Sequence, residues 1–472
     1  MTKQISTNIS KSDFRLFREA PRHLWAKKNS RLDVSSTNQL AGIQGEQVER
    51  LAKDYIEKFI LPNQPECILL WQVTGTDDSY LARADALVSE PTGKAANIYE
   101  IKSSTEVKNE DIEDVAFQTL IFQKQYHIGH IYLMLVNNDY IMHGPLDLSQ
   151  LLKVEDITDQ VNAILADIET LRAQALEAAQ CADPEELEHC WKPKECVCLE
   201  VCHPGLPDFS IYDIPRLSEE KKRRLEGMGV RAAKEIPVSF ELSDSQRAIA
   251  DLARLGAPVM DAPRIREELG RIAYPVYFLD YETCNLAVPL FEGYKPYQQM
   301  VFQYSLHRLD GPEGELKHFE HLSTSDDDPA MPLLASLKKN LGGEGTVIVW
   351  SASFEKTRNK EMALLHPEYA DFLKDVNDRV HDLMEMVSKG LYLHPGFKGS
   401  SSIKHVLPVM VPELSYAEME INEGTKASFA WWNIMFVSLD ETEKKIIADQ
   451  LLAYCKLDTL AMVEIFRRFS RI

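Results

Sequence analysis

Val276-Tyr277-Phe278-Leu279-Asp280-Tyr281-Glu282 decides the reading of the C-terminal half of the chain. Four consecutive apolar residues read as a buried strand, and that strand ends in two carboxylates spaced one apart. Side chains alternate along a strand with a period of two, so Asp280 and Glu282 face the same way. Near the far end stands Tyr454-Cys455-Lys456-Leu457-Asp458, inside a helical pattern from about Glu441 to Arg471 with room for one break. At i and i+4 the tyrosine and the aspartate share one helix face. Carboxylates converging from a strand end and a helix suit divalent cations, and a hydroxyl beside them can orient an attacking water.

The stretch between them fills in the same domain. Residues 299–309 and 315–322 read as strands turning at Asp310-Gly311, 346–350 as another strand, and 355–366 as a helix. The strand ending at Trp350 leads into Ser353-Phe354-Glu355, which supplies a further acid, Glu355. Asp382 is the reserve candidate for that role, and its plainer role is a helix cap. Strands and helices in this order predict an α/β sheet domain over 271–472.

Upstream, 66–73, 81–88, 97–102 and 130–136 read as strands, with helices over 40–58, 110–127 and 155–180. Asp85 follows the strand pattern Leu81-Ala82-Arg83-Ala84, and Glu100-Ile101-Lys102 comes fifteen residues later. In Glu-x-Lys on a strand both side chains share a face, and the preceding strand can bring Asp85 beside them. Two carboxylates can hold a cation, while the ammonium orients water or stabilises developing charge. This second α/β domain covers 1–205, and 206–270, rich in Pro and charge, reads as a helical connector.

With 472 residues the chain is too long for one ordinary core. Its net charge of -21, from 73 acidic against 52 basic residues, argues against a passive nucleic-acid coat. It is compatible with a nuclease, whose active-site carboxylates are offset by bound cations. Met1 to Lys28 carries no signal pattern, and no apolar run approaches a membrane span, so a cytoplasmic location and no membrane partner are expected. No Gly-x4-Gly-Lys-Ser/Thr loop encodes an ATPase motor. Ser401-x-x-Lys404 matches a penicillin-binding nucleophile motif, but its companion motifs are absent. Five of the eight cysteines fall between Cys181 and Cys202, which in a cytosolic protein reads as metal or iron-sulfur ligation rather than disulfides.

These motifs resemble two nuclease families. Asp280-x-Glu282 with Tyr454-x-x-x-Asp458 is similar to the opening and closing motifs of DnaQ-like (DEDD) 3′-5′ exonucleases, which have an RNase H-like fold. Asp85 and Glu100-x-Lys102 resemble the RecB-like branch of PD-(D/E)XK nucleases, which have a restriction-endonuclease-like fold. So do Gly45-x-x-x-Glu49, Gln118, Ser12-Asp13-Phe14 and Pro21-Arg22-x-x-Trp25. Nearly the whole chain is similar to a bacterial family that fuses the two, through stretches such as Phe302-Gln303-Tyr304-Ser305, Ser353 to Arg358 and Gly399 to Pro408. The resemblance implies Glu49, Asp85 and Glu100 as metal ligands, Lys102 as catalytic and Gln118 as a DNA contact, while Phe122 replaces the family's usual tyrosine. In the C-terminal site it implies that Asp280, Glu282, Glu355 and Asp458 hold Mg²⁺ or Mn²⁺ and that Tyr454 positions water.

Related RecB-like nucleases hold a [4Fe-4S] cluster on one N-terminal and three C-terminal cysteines. Here Cys190, Cys196 and Cys202 match, but the N-terminal position is Ala20. Cys198 or Cys181 could be the fourth ligand, or the cluster is lost. Zinc with His189 or His203 is the competing occupant, and free buried thiols are the plainest reading. The expected function is metal-dependent hydrolysis of nucleic acid, DNA before RNA, at two sites. The alternative is a nucleic-acid-binding scaffold with an inactive N-terminal module.

Overall fold

In a computed structural model, residues 8–32 and 39–472 are described. The chain is mixed α/β and divides into two units. Unit 1 runs to Gly205 and also takes in Leu286–Tyr297, while unit 2 comprises Leu206–Asn285 and Gln298–Ile472.

Unit 1 opens with β1 (Ile9–Ser10), α1 (Lys11–Glu19), α2 (Pro21–Lys28) and α3 (Gln39–Tyr55). Strands β2 (Ile68–Asp77), β3 (Tyr80–Ser89) and β4 (Ala95–Ile101) follow, then α4 (Asn109–Phe122) and β5 (His127–Val136). The unit continues through α5 (Leu148–Leu151), β6 (Leu152–Asp156), α6 (Thr158–Gln180) and α7 (Leu199–Cys202). The sheet order is β1-β3-β4-β5-β6, with β2 also paired to β3. β2, β3 and β4 are antiparallel neighbours, whereas β5 lies parallel to β4 because α4 carries the chain across.

Alternation splits the core between the two sheet faces. Leu133 and Leu135 pack with Phe117, Ile121 and Phe122 of α4, and Met134 and Val136 pack with Val48, Ala52 and Ile56. Ala287 and Val288, from the returning segment, complete the second face. Ser10 caps α1 in a reciprocal box with Asp13, and Pro21 restarts the chain as α2 after the extended Ala20. The expected strands and helices are all present. The sequence pattern did not show β1 or β6, which are short.

Unit 2 contains α8 (Glu219–Gly227), α9 (Asp244–Leu255), β7 (Val259–Met260), α10 (Ala262–Leu269), β8 (Val276–Asn285), β9 (Gln299–Leu309) and β10 (Leu316–Leu322). Next come α11 (Ala330–Asn340), β11 (Thr346–Val349), α12 (Ala352–Leu365), α13 (Ala370–Asp378) and β12 (Val380–Asp382). It closes with α14 (Glu385–Ser388), β13 (Tyr392–Leu393), α15 (Ile403–Met410), α16 (Gly424–Phe436) and α17 (Glu441–Phe469). The main sheet runs β10-β9-β8-β11-β12. β8, β9 and β10 are antiparallel, and β11 is parallel to both β8 and β12. Counted within this sheet, the strand order is 3-2-1-4-5. At Gly345, with φ +86°, an added Cβ would lie 1.9 Å from the Pro275 carbonyl, so a glycine is required where β11 joins β8.

Two expectations change here. The stretch 206–270 belongs to unit 2, and its β7 pairs antiparallel with β13. A two-residue strand whose partner lies more than a hundred residues away leaves no local signal. The C-terminal helix runs unbroken through Glu441–Phe469, capped by an Asp440–Glu443 box.

Candidate active sites

In unit 2, β8 delivers Asp280 and Glu282 to one face, opposite Ser305 and Gln303 of β9, and a bulge follows Glu282. Such bulges bend a strand and re-aim its side chains. Buried Leu451, Tyr454, Cys455, Asp458 and Met462 form the inward stripe of α17. Gln303 donates to the Leu451 carbonyl at 2.9 Å, and Thr459 Oγ1 lies 2.7 Å from Ser305 Oγ and 2.8 Å from His307 Nδ1. These bonds set the helix so that Asp280, Glu282, Tyr454 and Asp458 line one cleft of about 170 Å³ with Trp350 and Lys404.

The cleft concentrates negative charge. Ligand atoms of Asp280, Glu282 and Cys455 lie within 4.8 Å of one another. Burial, and then Asp458, push the Asp280 carboxyl well above the usual range. Burial, Asp280 and Asp458 do the same to Glu282. Burial raises Asp458 to about 6, against a hydrogen bond from Tyr416 and the pull of Lys404. Glu355, on α12, is 2 % exposed, and its Oε2 has no hydrogen-bond partner among the described residues. Burial, then Asp280 and Glu282, hold it far above its ordinary value. An orphaned buried oxygen coupled to mutually repelling carboxylates suits a divalent cation.

Asp382 has a different role. Its carboxylate accepts N–H bonds from Ser351, Ala352 and Met384 at 3.1, 2.8 and 3.0 Å, so it anchors the start of α12. Local sequence did not mark Tyr416, whose hydroxyl donates to Asp458 Oδ1 at 2.5 Å. Lys404, met in the sequence within an incomplete motif and within the stretch Gly399 to Pro408, sits over the rings of Tyr454 at 5.6 Å and Tyr416 at 5.9 Å and donates to the Asn422 carbonyl.

In unit 1, Asp85 on β3 and Glu100 on β4 come together. Asp85 Oδ2 accepts the Ile101 N–H at 2.9 Å. Burial, then Glu100, push Asp85 up to about 7, and Glu49 adds to the shift. Glu49 on α3 accepts a short hydrogen bond from Gln72. Lys11 Nζ lies 2.7 Å from Glu100 Oε1, and Lys102 Nζ lies 3.3 Å from it. Burial would raise Glu100, but the two lysines and the Gln118 bond outweigh it and hold the carboxyl below its ordinary value. Lys102 also reaches Asp114 at 3.1 Å and Asp111 at 3.7 Å. Burial lowers its pKa, yet Glu100 and Asp114 keep it above the usual lysine range.

Gln118 is fully buried and donates to Glu100 Oε2 at 2.9 Å. Its side chain holds the Glu100 carboxylate in place. Phe122 is also fully buried, and its ring lies so close to Gly75 that a Cβ there would meet it at 2.9 Å. Lys11 and Asp114 carry no sequence signal, because α1 and α4 reach the site only through packing.

A third cluster lies at the end of unit 1. His23, Cys190, Cys196 and Cys202 place their ligand atoms within 4.8 Å of one another and could bind a metal. Cys198 Sγ is 3.7 Å from Cys202 Sγ, and His203 Nε2 is 3.4 Å from Cys190 Sγ. Cys181 stands apart from that four-residue set, beside Asp183 and Glu186.

Among the described residues no helix is long and apolar enough to cross a membrane. Residues 277–402 match a domain of unknown function, DUF2779. That span covers Asp280, Glu282 and Glu355 and stops before Lys404, Tyr454 and Asp458. The chain is also similar to the uncharacterized protein MG366 of Mycoplasma genitalium, at 28% identity over 209 residues, 40% of this chain and 31% of that protein. It is 26% identical over 210 residues to the uncharacterized protein UU173 of Ureaplasma parvum, 40% of this chain and 30% of that protein. The matches therefore span about a third of these relatives' own length.

Proposed function

We propose that this chain is a metal-dependent nuclease with two hydrolytic sites, the C-terminal one a 3′-5′ exonuclease, and DNA as the preferred substrate. The observation that carries the reading is the convergence of Asp280 and Glu282, in the middle of the central strand of a 3-2-1-4-5 sheet, with Tyr454 and Asp458 in one cleft, while the buried Glu355 keeps an unpartnered Oε2. That strand order supports the likeness to RNase H-like exonucleases, and the run α3-β2-β3-β4-α4-β5 around Asp85 and Glu100 supports the likeness to PD-(D/E)XK nucleases.

Asp280, Glu282, Glu355 and Asp458 would hold Mg²⁺ or Mn²⁺. Such ions, when bound, polarise a scissile phosphate and make water a better nucleophile. The chain's own groups do the positioning. Tyr454 keeps its proton, because burial and then Asp458 raise its pKa, so its hydroxyl can orient a water at the 3′ end. Tyr416 holds Asp458 in place, and the Lys404 ammonium can steady negative charge on phosphate oxygens. In unit 1, Asp85 and Glu100 would hold the ion, with Lys102 beside the attacked phosphate.

The test is cleavage of end-labelled single- and double-stranded DNA and RNA with Mg²⁺ or Mn²⁺. Wild type is run beside Asp280→Ala, Lys102→Ala and the double variant. Each single change should remove a distinct product pattern and the double variant should be silent. A double variant that cuts like wild type overturns the assignment. A second reading, an N-terminal module that binds nucleic acid without cutting it, draws on Lys11, whose ammonium already occupies Glu100 Oε1. It predicts that Lys102→Ala leaves all products unchanged.

A further inference from the structure

We infer that His23, with Cys190, Cys196 and Cys202, forms a Cys3His site for a single tetrahedral ion of the zinc type. The likeness to RecB-like nucleases implies instead a four-iron cluster on four cysteines. The inference rests on the cysteine-histidine geometry alone and is independent of the proposed hydrolytic sites.

Ala20, at the place where the resemblance expects a cysteine, has no ligand atom and packs in the apolar cluster around Cys190, Cys198 and Cys202. His23, one helical turn later on α2, reaches the thiols with its ring. It is 3 % exposed, and its Nε2 lies 3.4 Å from Cys196 Sγ. Zinc binds thiolate sulfur at about 2.3 Å and imidazole nitrogen at about 2.0 Å, so the edges of its tetrahedron are about 3.8 Å between sulfurs and about 3.5 Å between sulfur and nitrogen. The His23–Cys196 separation matches such an edge, and all four ligand atoms fit within 4.8 Å. A cubane places four irons and four sulfides between its thiolates and spreads them farther than one ion does. The set as built suits one ion.

Surrounding contacts hold the ligands in that arrangement. His23 Nδ1 lies 3.3 Å from Glu19 Oε2, the carboxylate-imidazole pairing that fixes a ligating ring with Nε2 facing the ion. The neighbouring Arg22 guanidinium donates to the carbonyls of Leu187 at 2.8 Å, Val201 at 3.1 Å and Cys202 at 3.0 Å, and Trp25 Nε1 donates to the Cys181 carbonyl at 2.8 Å. α2 and the cysteine segment are therefore tied together by bonds that need no metal. Cys198 falls outside the four-residue set, although its Sγ lies 3.7 Å from Cys202 Sγ; its backbone N–H donates to Cys196 Sγ at 3.5 Å and its own sulfur sits 4.0 Å from the Arg22 carbonyl. His203 Nε2 lies 3.4 Å from Cys190 Sγ and also falls outside the four-residue set.

The experiment is metal analysis of the full chain, purified without oxygen from cells given both iron and zinc, with visible spectra and cobalt substitution. Wild type should carry one zinc per chain and no broad visible absorption. His23→Ala should lose zinc to a chelator at least about a hundredfold more readily. His23→Cys should retain it, with a stronger sulfur-to-cobalt charge-transfer band, and Cys198→Ser should retain it unchanged. The His23→Cys spectrum remains decisive if His23→Ala fails to fold. Four irons per chain with visible absorption overturns the single-ion site, as does a chain that carries no metal. Zinc retention that ignores His23 or depends on Cys198 overturns the ligand assignment. None of these readings depends on nuclease activity.

Discussion

In unit 1, Glu100 faces two ammonium groups, Lys11 and Lys102, and Lys102 in turn is shared with Asp114. In unit 2, Asp280, Glu282 and Asp458 crowd one cleft, and Lys404 offsets them without an ion-pair contact. At the first site the two lysines keep Glu100 ionised, although Asp85 beside it is pushed up to about 7. The second is left with mutual repulsion that only protons or added cations relieve. Two carboxylate sites in one chain can thus differ in what they need from solution, even where their motifs look alike.

The largest expected effect follows from that contrast. Asp280→Asn should lower 3′-end release by more than about a hundredfold. It should also abolish the stabilisation of unit 2 by Mg²⁺, about 2.7 kcal/mol when the ion stands at a hundred times its Kd. In chelator the variant should be more stable than wild type, because a repelling charge is gone. Melting curves with and without Mg²⁺ read this, and equal Mg²⁺ shifts in both proteins would break the comparison.

Next is Lys102→Met, which leaves Glu100 and Asp114 buried with less compensation. Unit 1 should lose roughly 3 kcal/mol, seen as faster hydrogen exchange across β3 to β5. Lys404→Met sharpens the contrast from the other side. It should cut the rate of 3′-end release by roughly a hundredfold and, because it removes the charge that offsets Asp280, Glu282 and Asp458, also speed hydrogen exchange in unit 2.

The smallest effect is a pH dependence behind the second site. His307 is buried against Thr459, its ring 4.5 Å from that of His318. Burial, then His318, Lys456 and Arg467, pull its pKa from 6.5 to about 3. Because the folded value lies below the unfolded one, this contribution is full above pH 6.5 and is lost as pH falls toward 3. At pH 5 the loss is roughly 2 kcal/mol. His307→Gln should flatten the pH profile of urea unfolding between pH 7 and 5 by that amount, and an unchanged slope would remove His307 from the account.

Much of this architecture was legible beforehand. Long apolar patterns such as Val276 to Leu279 and residues 155–180 carried their own periodicity, and Asp280-x-Glu282 and Tyr454-x-x-x-Asp458 declared shared faces by spacing alone. Short elements paired across the chain did not: β7 and β13 have two residues each and are strands only through their pairing with each other. Asp382 looked like a reserve ligand until its three backbone bonds showed it to be a cap.

The sequence by itself determined the alternating strands, the helix faces and therefore which carboxylates could converge, because strand and helix periods are local properties. Tertiary structure alone decided the company those carboxylates keep. Lys11 reaches Glu100 from α1, Tyr416 reaches Asp458 across 42 residues, and His23 meets Cys196 across 173. Such neighbours are set by how faces pack together, and a charge or a ligand acts through distance in space rather than separation along the chain.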